Sequence, residues 1–393
     1  MRRHRLPAAH FDRLAAGLGD PATIRMLREA ELSRLLLALR ALLDGAGRSR
    51  AEGVELLARA QRRAPGTVAD LLLYPHVAAW ISACLRRLHG GDGDAAALDT
   101  DLAHLSGVAA AAAIRAGLEV DVTVRARGGV VTLPSLGGAE VGPPAFGGDA
   151  AVRTTSRGVE ISSPHRVVVV PADPHSDGPG WRGLRRLAAV CGGRTLDLYL
   201  DDLDPFRDNH GLGPAPRLPE EDLAAWRRAT EAAWAVLARH HPHRAEAIAT
   251  GLTTLVPLAT DGGRRELSAT SAEAPGAVAL TPPADPLLLA ESLVHEFQHV
   301  KLCALLDLLP LHEPDDGTRF YAPWRDDPRP LGGLLHGAYA YLGVTDFWGR
   351  QQQVMTGDDR VFAQYAFVLW RDQTLGAIGR IEGSGRLTGA GER

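Results

Sequence analysis

Residues 284–311 read ADPLLLAESLVHEFQHVKLCALLDLLPL, a largely apolar run that carries the constellation His295-Glu296-x-x-His299. Asp285 is a helix N-cap by type. Pro286 suits the first helical position, where its missing N–H would be unpaired anyway, and Pro310 closes the run. The expectation is a helix of about two dozen residues. At a spacing of four, both imidazoles lie on one helix face and can share a cation, while Glu296 points about a quarter-turn away. Leu289, Leu293, Val294, Phe297, Leu302 and Leu305 make most of the circumference apolar, so the helix should be buried. Two histidines and a glutamate taken out of water need a partner, and a metal ion is the expected one.

The rest of the chain sets limits on that reading. Its 393 residues suffice for two or three packed modules. Lys+Arg at 43 against Asp+Glu at 47 gives a net charge of −4 with no dense basic run, which argues against nucleic acid. Lys301 is the only lysine, and the abundance of Arg, Ala, Gly and Pro reads as compositional bias, not as a functional signal. Cys84, Cys191 and Cys303 are far apart and lack C-x-x-C spacing, so neither a disulfide framework nor a cysteine metal site is expected. MRRHRLPAAHFDRL turns polar before an apolar core of signal length develops, and no long uncharged apolar stretch follows. A soluble, cytoplasmic protein without membrane partners is expected.

The hydrophobic period changes twice along the chain. From DPATIRMLREAELSRLLLALRALL to LAHLSGVAAAAAIRAGL it is helical, with breaks at Gly45–Gly47 and at HGGDGD, giving a helical module over 1–118. EVDVTVRARGGVVTLPSLGGAEV, GVEISS, HRVVVVPA and TLDLYLDD alternate between Gly/Pro-rich turns, giving a β-rich module over 119–215. The last, catalytic module, 216–393, has a helix opened by Pro219 and two acids. Short strands TTLVPLA and GAVALT follow, then the H-E-x-x-H helix. The expected class is α+β, mostly helical, with a central mixed sheet and the motif on a long buried helix. Short Pro/Gly-bounded connections argue for one body.

The third ligand decides the class of site, because catalytic metals usually take three protein ligands and keep a position open. The extended H-E-x-x-H-x-x-G-x-x-H pattern is excluded by Leu302 and Leu305. A thermolysin-like site needs a downstream glutamate on a helix, and Glu313, Glu382 and Glu392 lie in no convincing apolar helix. His336, in the first turn of a helix expected to begin near Leu334, is the preferred ligand. Asp346 is second and would complete a two-histidine-one-carboxylate set suited to iron. His312, before Pro314, is third. The short strand GAVAL, just upstream, resembles the edge strand that lines zinc-peptidase clefts.

Over most of its length the chain resembles the HEXXH motif-containing putative peptide modification proteins, which are encoded beside ribosomally made, post-translationally modified peptides. FDRLAAGLGDPATI, YPHVAAW, AAAAAIRAGL, LDDLDPFRD, LAESLVHEFQHVKLCALLDLLPL and WRDDPRPLGGLLHGAYAY carry the resemblance, the last two most specifically. It implies a tailoring enzyme acting on a precursor peptide. Some members resemble iron(II), 2-oxoglutarate-dependent β-hydroxylases, which implies those cofactors here, with zinc as the alternative.

Either chemistry can be assigned residues. In a zinc peptidase, Glu296 would take a proton from metal-bound water. In an oxygenase, a basic residue should grip the distal carboxylate of the 2-oxo acid, and Arg325 and Arg329 are within sequence reach; equally, they could pair with Asp326 and Asp327 on a solvated loop. Glu296 would then be a ligand or orient a histidine. A non-catalytic protein that presents the peptide to another enzyme is a third possibility. Elsewhere, Asp201, Asp202, Asp204 and Asp208 crowd one turn without EF-hand spacing, which reads as an acidic turn capped by Arg207. Trp80, Trp226, Trp234 and Trp370 fall in helical patterns and read as core. SLGGAEVGPPAFGGDA lacks G-K-[ST] and is a loop, not a phosphate cradle.

Overall fold

The computed structural model describes residues 4–46, 51–90, 95–259, 267–282 and 285–393. Helices come first: α1 (Ala8–Ala15), α2 (Pro21–Ala46), α3 (Ala51–Arg63), α4 (Pro65–Leu72), α5 (Pro75–His89), α6 (Ala95–Leu102) and α7 (His104–Arg115). The breaks expected at Gly45–Gly47 and HGGDGD lie partly outside the described residues. Strands β1 (Asp121–Arg125), β2 (Val130–Leu133), β3 (Gly137–Glu140), β4 (Asp149–Thr155), β5 (Gly158–Ser162), β6 (Val167–Val169), β7 (Trp181–Gly183), β8 (Arg185–Cys191) and β9 (Arg194–Leu200) follow. Then come α8 (Glu220–His240), α9 (Pro242–Gly251), β10 (Thr254–Pro257), β11 (Ser268–Ala269), β12 (Ala277–Leu280), α10 (Pro286–Leu306), α11 (Leu331–Val354), α12 (Gly357–Gly383) and α13 (Gly389–Glu392). The class is α+β, with helix outweighing strand.

Two sheets are antiparallel, in orders β1-β4-β5-β6 and β2-β3-β7. The third is mixed, in order β11-β12-β10-β9-β8: β9, β10 and β12 run parallel, while β8 and β11 are antiparallel to their neighbours. All residues of β10 and β12 are buried, as parallel strands covered on both faces should be. β8 and β9 alternate buried with exposed positions, and α8 packs on β8.

The hydrophobic cores do not follow the chain order. One joins Phe11 and Leu14 of α1 and Leu27 of α2 to Leu198, Trp234, Phe297 and Trp348. The other joins Leu39 and Leu42 of α2 to Trp80, Val108, Val122 and Trp181. Helix α2 therefore belongs to both, and α1 sits in the same core as the H-E-x-x-H helix. The second core runs across residue 118, and β8 and β9, which precede residue 215, pair into the sheet of β10. Among the described residues no single helix is long and apolar enough to cross a membrane.

Candidate metal centre

Helix α10 starts as its sequence dictates: the Asp285 carboxylate accepts the Leu287 N–H at 2.6 Å, with Pro286 at the first helical position. It stops at Leu306, ahead of Pro310, where the Leu308 and Leu309 N–H groups both reach the Leu305 carbonyl. Leu289, Leu293, Phe297, Leu302 and Leu305 are buried. One side of the helix is tied down by polar groups. Gln298 Nε2 donates to Tyr339 O at 3.1 Å, and Lys301 Nζ donates to Gly17 O at 2.9 Å and Leu18 O at 3.2 Å. The Lys301 ammonium also faces the rings of Phe297 and Tyr339. Burial, and then the charge of Arg244, hold it well below the usual lysine range.

The other side presents the motif. Glu296 is 2% exposed, and both of its carboxylate oxygens are taken: Ser268 Oγ donates to Oε1 at 2.6 Å and Thr270 Oγ1 donates to Oε2 at 2.7 Å. These hydroxyls come from β11 and the residue just after it, so β11 is the sheet's edge beside the motif. GAVAL, expected to be that edge, forms β12, one place further in. Its side chains are wholly apolar and its four strand residues are buried on both faces, which suits an interior strand.

His295, His299 and His336 come together. The Nδ1 atoms of His299 and His336 are 3.4 Å apart, and ring centroids are 5.0 Å apart for His295 and His299 and 5.5 Å for His299 and His336. Imidazoles bound tetrahedrally at ordinary zinc–nitrogen distances place their nitrogens about 3.3 Å and their ring centres about 5 Å apart. The spacing fits a shared cation. Burial lowers the pKa of all three and brings His299 and His336 to about 4; the charges of His299 and His312 push His336 the same way. At neutral pH the rings are unprotonated, the state in which imidazole binds metal. Among the described residues no three His, Cys, Asp or Glu side chains form a finished ligand set.

Helix α11 begins at Leu331, directly after Pro330, with Gly332 and Gly333 in its first turn. His336 therefore lies in the second turn, not the first as a start at Leu334 implies. The next residue must be glycine: a Cβ on Gly337 would collide with the Trp324 ring, which lies across the helix there. Trp324 stacks on Tyr341 at 4.8 Å and Tyr341 on Trp370 at 4.3 Å, while Tyr341 meets His295 edge-on at 4.9 Å. This makes an aromatic wall beside the histidines. Trp80, Trp226 and Trp234 are core, as expected, whereas Trp370 is only partly buried and belongs to the wall.

The remaining candidates sort by geometry. Arg325 Nε and Arg329 Nη1 both donate to Asp327, at 2.7 and 3.0 Å, on an exposed loop. Asp326 takes no part in those bonds. Arg325 is close enough to Tyr341 for its charge to oppose the burial that pushes the phenol up to about 12. Asp346 pairs with Arg244 at 2.8 Å, its carboxylate open to solvent. His312 packs against Gly332 and bonds the Glu313 carbonyl through Nδ1, within charge range of His336. Glu313, Glu382 and Glu392 are exposed.

His210 carried no signal in the sequence. Its Nε2 is buried without a hydrogen-bond partner among the described residues, and the charge of Glu296 reaches it. It follows the acidic turn, which is an internal scaffold. Asp201 accepts from the Tyr74 hydroxyl and lies 3.1 Å from His76 Nε2, Asp202 pairs with Arg185 and Arg217, and Arg207 donates to Asp204 O.

No protein-family model matches the chain, and no curated protein matches it in sequence.

Proposed function

We propose that this chain is a cytoplasmic, metal-dependent tailoring enzyme that hydroxylates a side-chain carbon of a ribosomally made precursor peptide. In this reading His295, His299 and His336 hold iron(II), and 2-oxoglutarate is the cosubstrate. The observation that carries it is the gathering of three neutral imidazoles from two helices, with the His299 and His336 Nδ1 atoms 3.4 Å apart, next to a glutamate whose oxygens are both engaged elsewhere. Iron(II) with 2-oxoglutarate and O₂ supplies the oxidant for attack on an unactivated C–H bond.

The chain's own residues do the positioning. Ser268 and Thr270 fix Glu296, whose Oε1 lies 4.0 Å from His295 Nε2, too far for a hydrogen bond, so that it acts on that ring through its charge. Tyr341, backed by Trp324 and Trp370, limits the swing of His295 and closes one side against water. Arg325 and Arg329 are the grip for the distal carboxylate of the 2-oxo acid, in exchange for Asp327.

Zinc-dependent peptide cleavage is the second reading, favoured by the edge strand beside Glu296. Incubating the protein with the neighbouring precursor peptide under iron(II), 2-oxoglutarate and air, and separately under zinc alone, tests both. A gain of one oxygen with succinate release supports hydroxylation. Cleavage under zinc without consumption of 2-oxoglutarate replaces it with the peptidase.

A further inference from the structure

Helix α12 is apolar on two opposite faces. Ala363, Ala366, Thr374, Ala377 and Ile381 are buried on the side that packs against α11. On the opposite side Val361 is 63%, Tyr365 64%, Val368 45% and Leu375 60% exposed. Positions 361, 365, 368 and 375 follow the alternating three-and-four spacing of a helix seam, with Asp372 at the position left over. Other exposed large apolar side chains, such as Val167 and Val190, sit on separate elements. A single stripe of this kind marks a contact surface.

The stripe is complementary to itself. Laid antiparallel on a second copy with the two-fold axis at Val368, Val361 faces Leu375, Val368 faces its own counterpart, and Tyr365 falls beside Arg371 and Asp372. The charges agree with that register: exposed Asp358 at the start of one helix comes beside exposed Arg380 at the end of the other. A parallel pairing would stack like charges instead. The same face holds an open groove of about 460 Å³ between Tyr321 and Pro323 on one side and Asp372, Gly376 and Arg380 on the other. In the antiparallel register the partner's Phe362, half exposed in the single chain, sits opposite residues 373–376 and enters that groove. We propose that α12 is a two-fold homodimer interface centred on Val368. It is isologous, so it closes at two copies. Because Trp370 lies on the same helix and belongs to the wall beside His295, the dimer backs the metal centre without entering it.

Light-scattering mass across a dilution series tests this on the full chain. The wild type should have twice the chain mass. Val368→Asp should weaken association at least about a hundredfold, since the axis brings both new charges together. Val190→Asp, exposed but elsewhere, should leave it unchanged, and far-UV circular dichroism should be alike for all three. Val368→Cys should form a disulfide-linked dimer on oxidation, beyond the background of the native cysteines in the wild type. A wild type of single-chain mass throughout, or a dimer that Val368→Asp does not weaken and Val368→Cys does not cross-link, overturns the proposal. A monomer whose affinity for the precursor peptide falls in Val368→Asp also overturns it and assigns the face to the peptide.

Discussion

Ser268, on a two-residue edge strand, donates its hydroxyl to Oε1 of Glu296 at 2.6 Å, while Thr270 occupies the other oxygen. The glutamate of the motif is thus bound to the sheet before any substrate arrives. Glu296→Gln keeps one acceptor and offers an amide donor to the second hydroxyl, so hydroxylation should stay within about tenfold of wild type, whereas loss of a general base costs about 10²–10⁴. Product formation by the Gln variant decides between these outcomes. Glu296→Ala, which orphans both hydroxyls, should lower stability by about 1–3 kcal/mol, read from denaturant midpoints.

Metal content should fall to background in His295→Ala, His299→Ala and His336→Ala, measured by elemental analysis after reconstitution. Asp346→Ala should bind normally, because that carboxylate is engaged by Arg244. Full occupancy in His336→Ala, lost only when His312 is also replaced, would transfer the third-ligand role to His312.

Acid should release the metal late. A free histidine protonates near 6.5, whereas burial lowers His299 and His336 to about 4. Protons therefore compete for these rings only as pH falls through about 4, and occupancy should hold well below pH 6.5. In the metal-free protein the unfolded chain binds more protons than the folded one between about 4 and 6.5, so these two rings contribute a loss of stability as pH drops through that window. Metal retention with a midpoint near 6.5 would mean the rings are solvated.

Arg325→Gln or Arg329→Gln should raise KM for 2-oxoglutarate about 10- to 100-fold, in line with the loss of one charge-assisted pair worth ~1.5–3 kcal/mol, and leave metal content unchanged. Asp327→Asn should act in the opposite direction, because it frees both guanidinium groups from their present partner. An unchanged KM in all three variants removes these arginines from the cosubstrate site.

What the sequence made legible was whatever lies in a continuous periodic run. The cap at Asp285, the helical spacing of His295 and His299, and the strand character of runs such as TLDLYLDD all follow from local chemistry. The start of α11 was displaced because Gly332 and Gly333 look like loop residues, yet Pro330 already sets the extended backbone that opens the helix. Strand β11 has two residues and no apolar alternation, and its partner sets its conformation. The wall of Trp324, Tyr341 and Trp370 draws on a loop and two helices, and His210 comes within charge range of Glu296 from a turn far earlier in the chain. Such encounters are made by tertiary packing, which leaves no periodic trace.

The chain's sole lysine is 3% exposed, held by the carbonyls of Gly17 and Leu18 and faced by two aromatic rings. Every positive side chain on the surface other than histidine is therefore a guanidinium, inert toward acylating reagents. Lysine acylation of the folded protein reports on the release of the Lys301 amine from the turn between α1 and α2. Its rate measures how often the helix carrying the histidines loses its anchor, with no label engineered into the molecule.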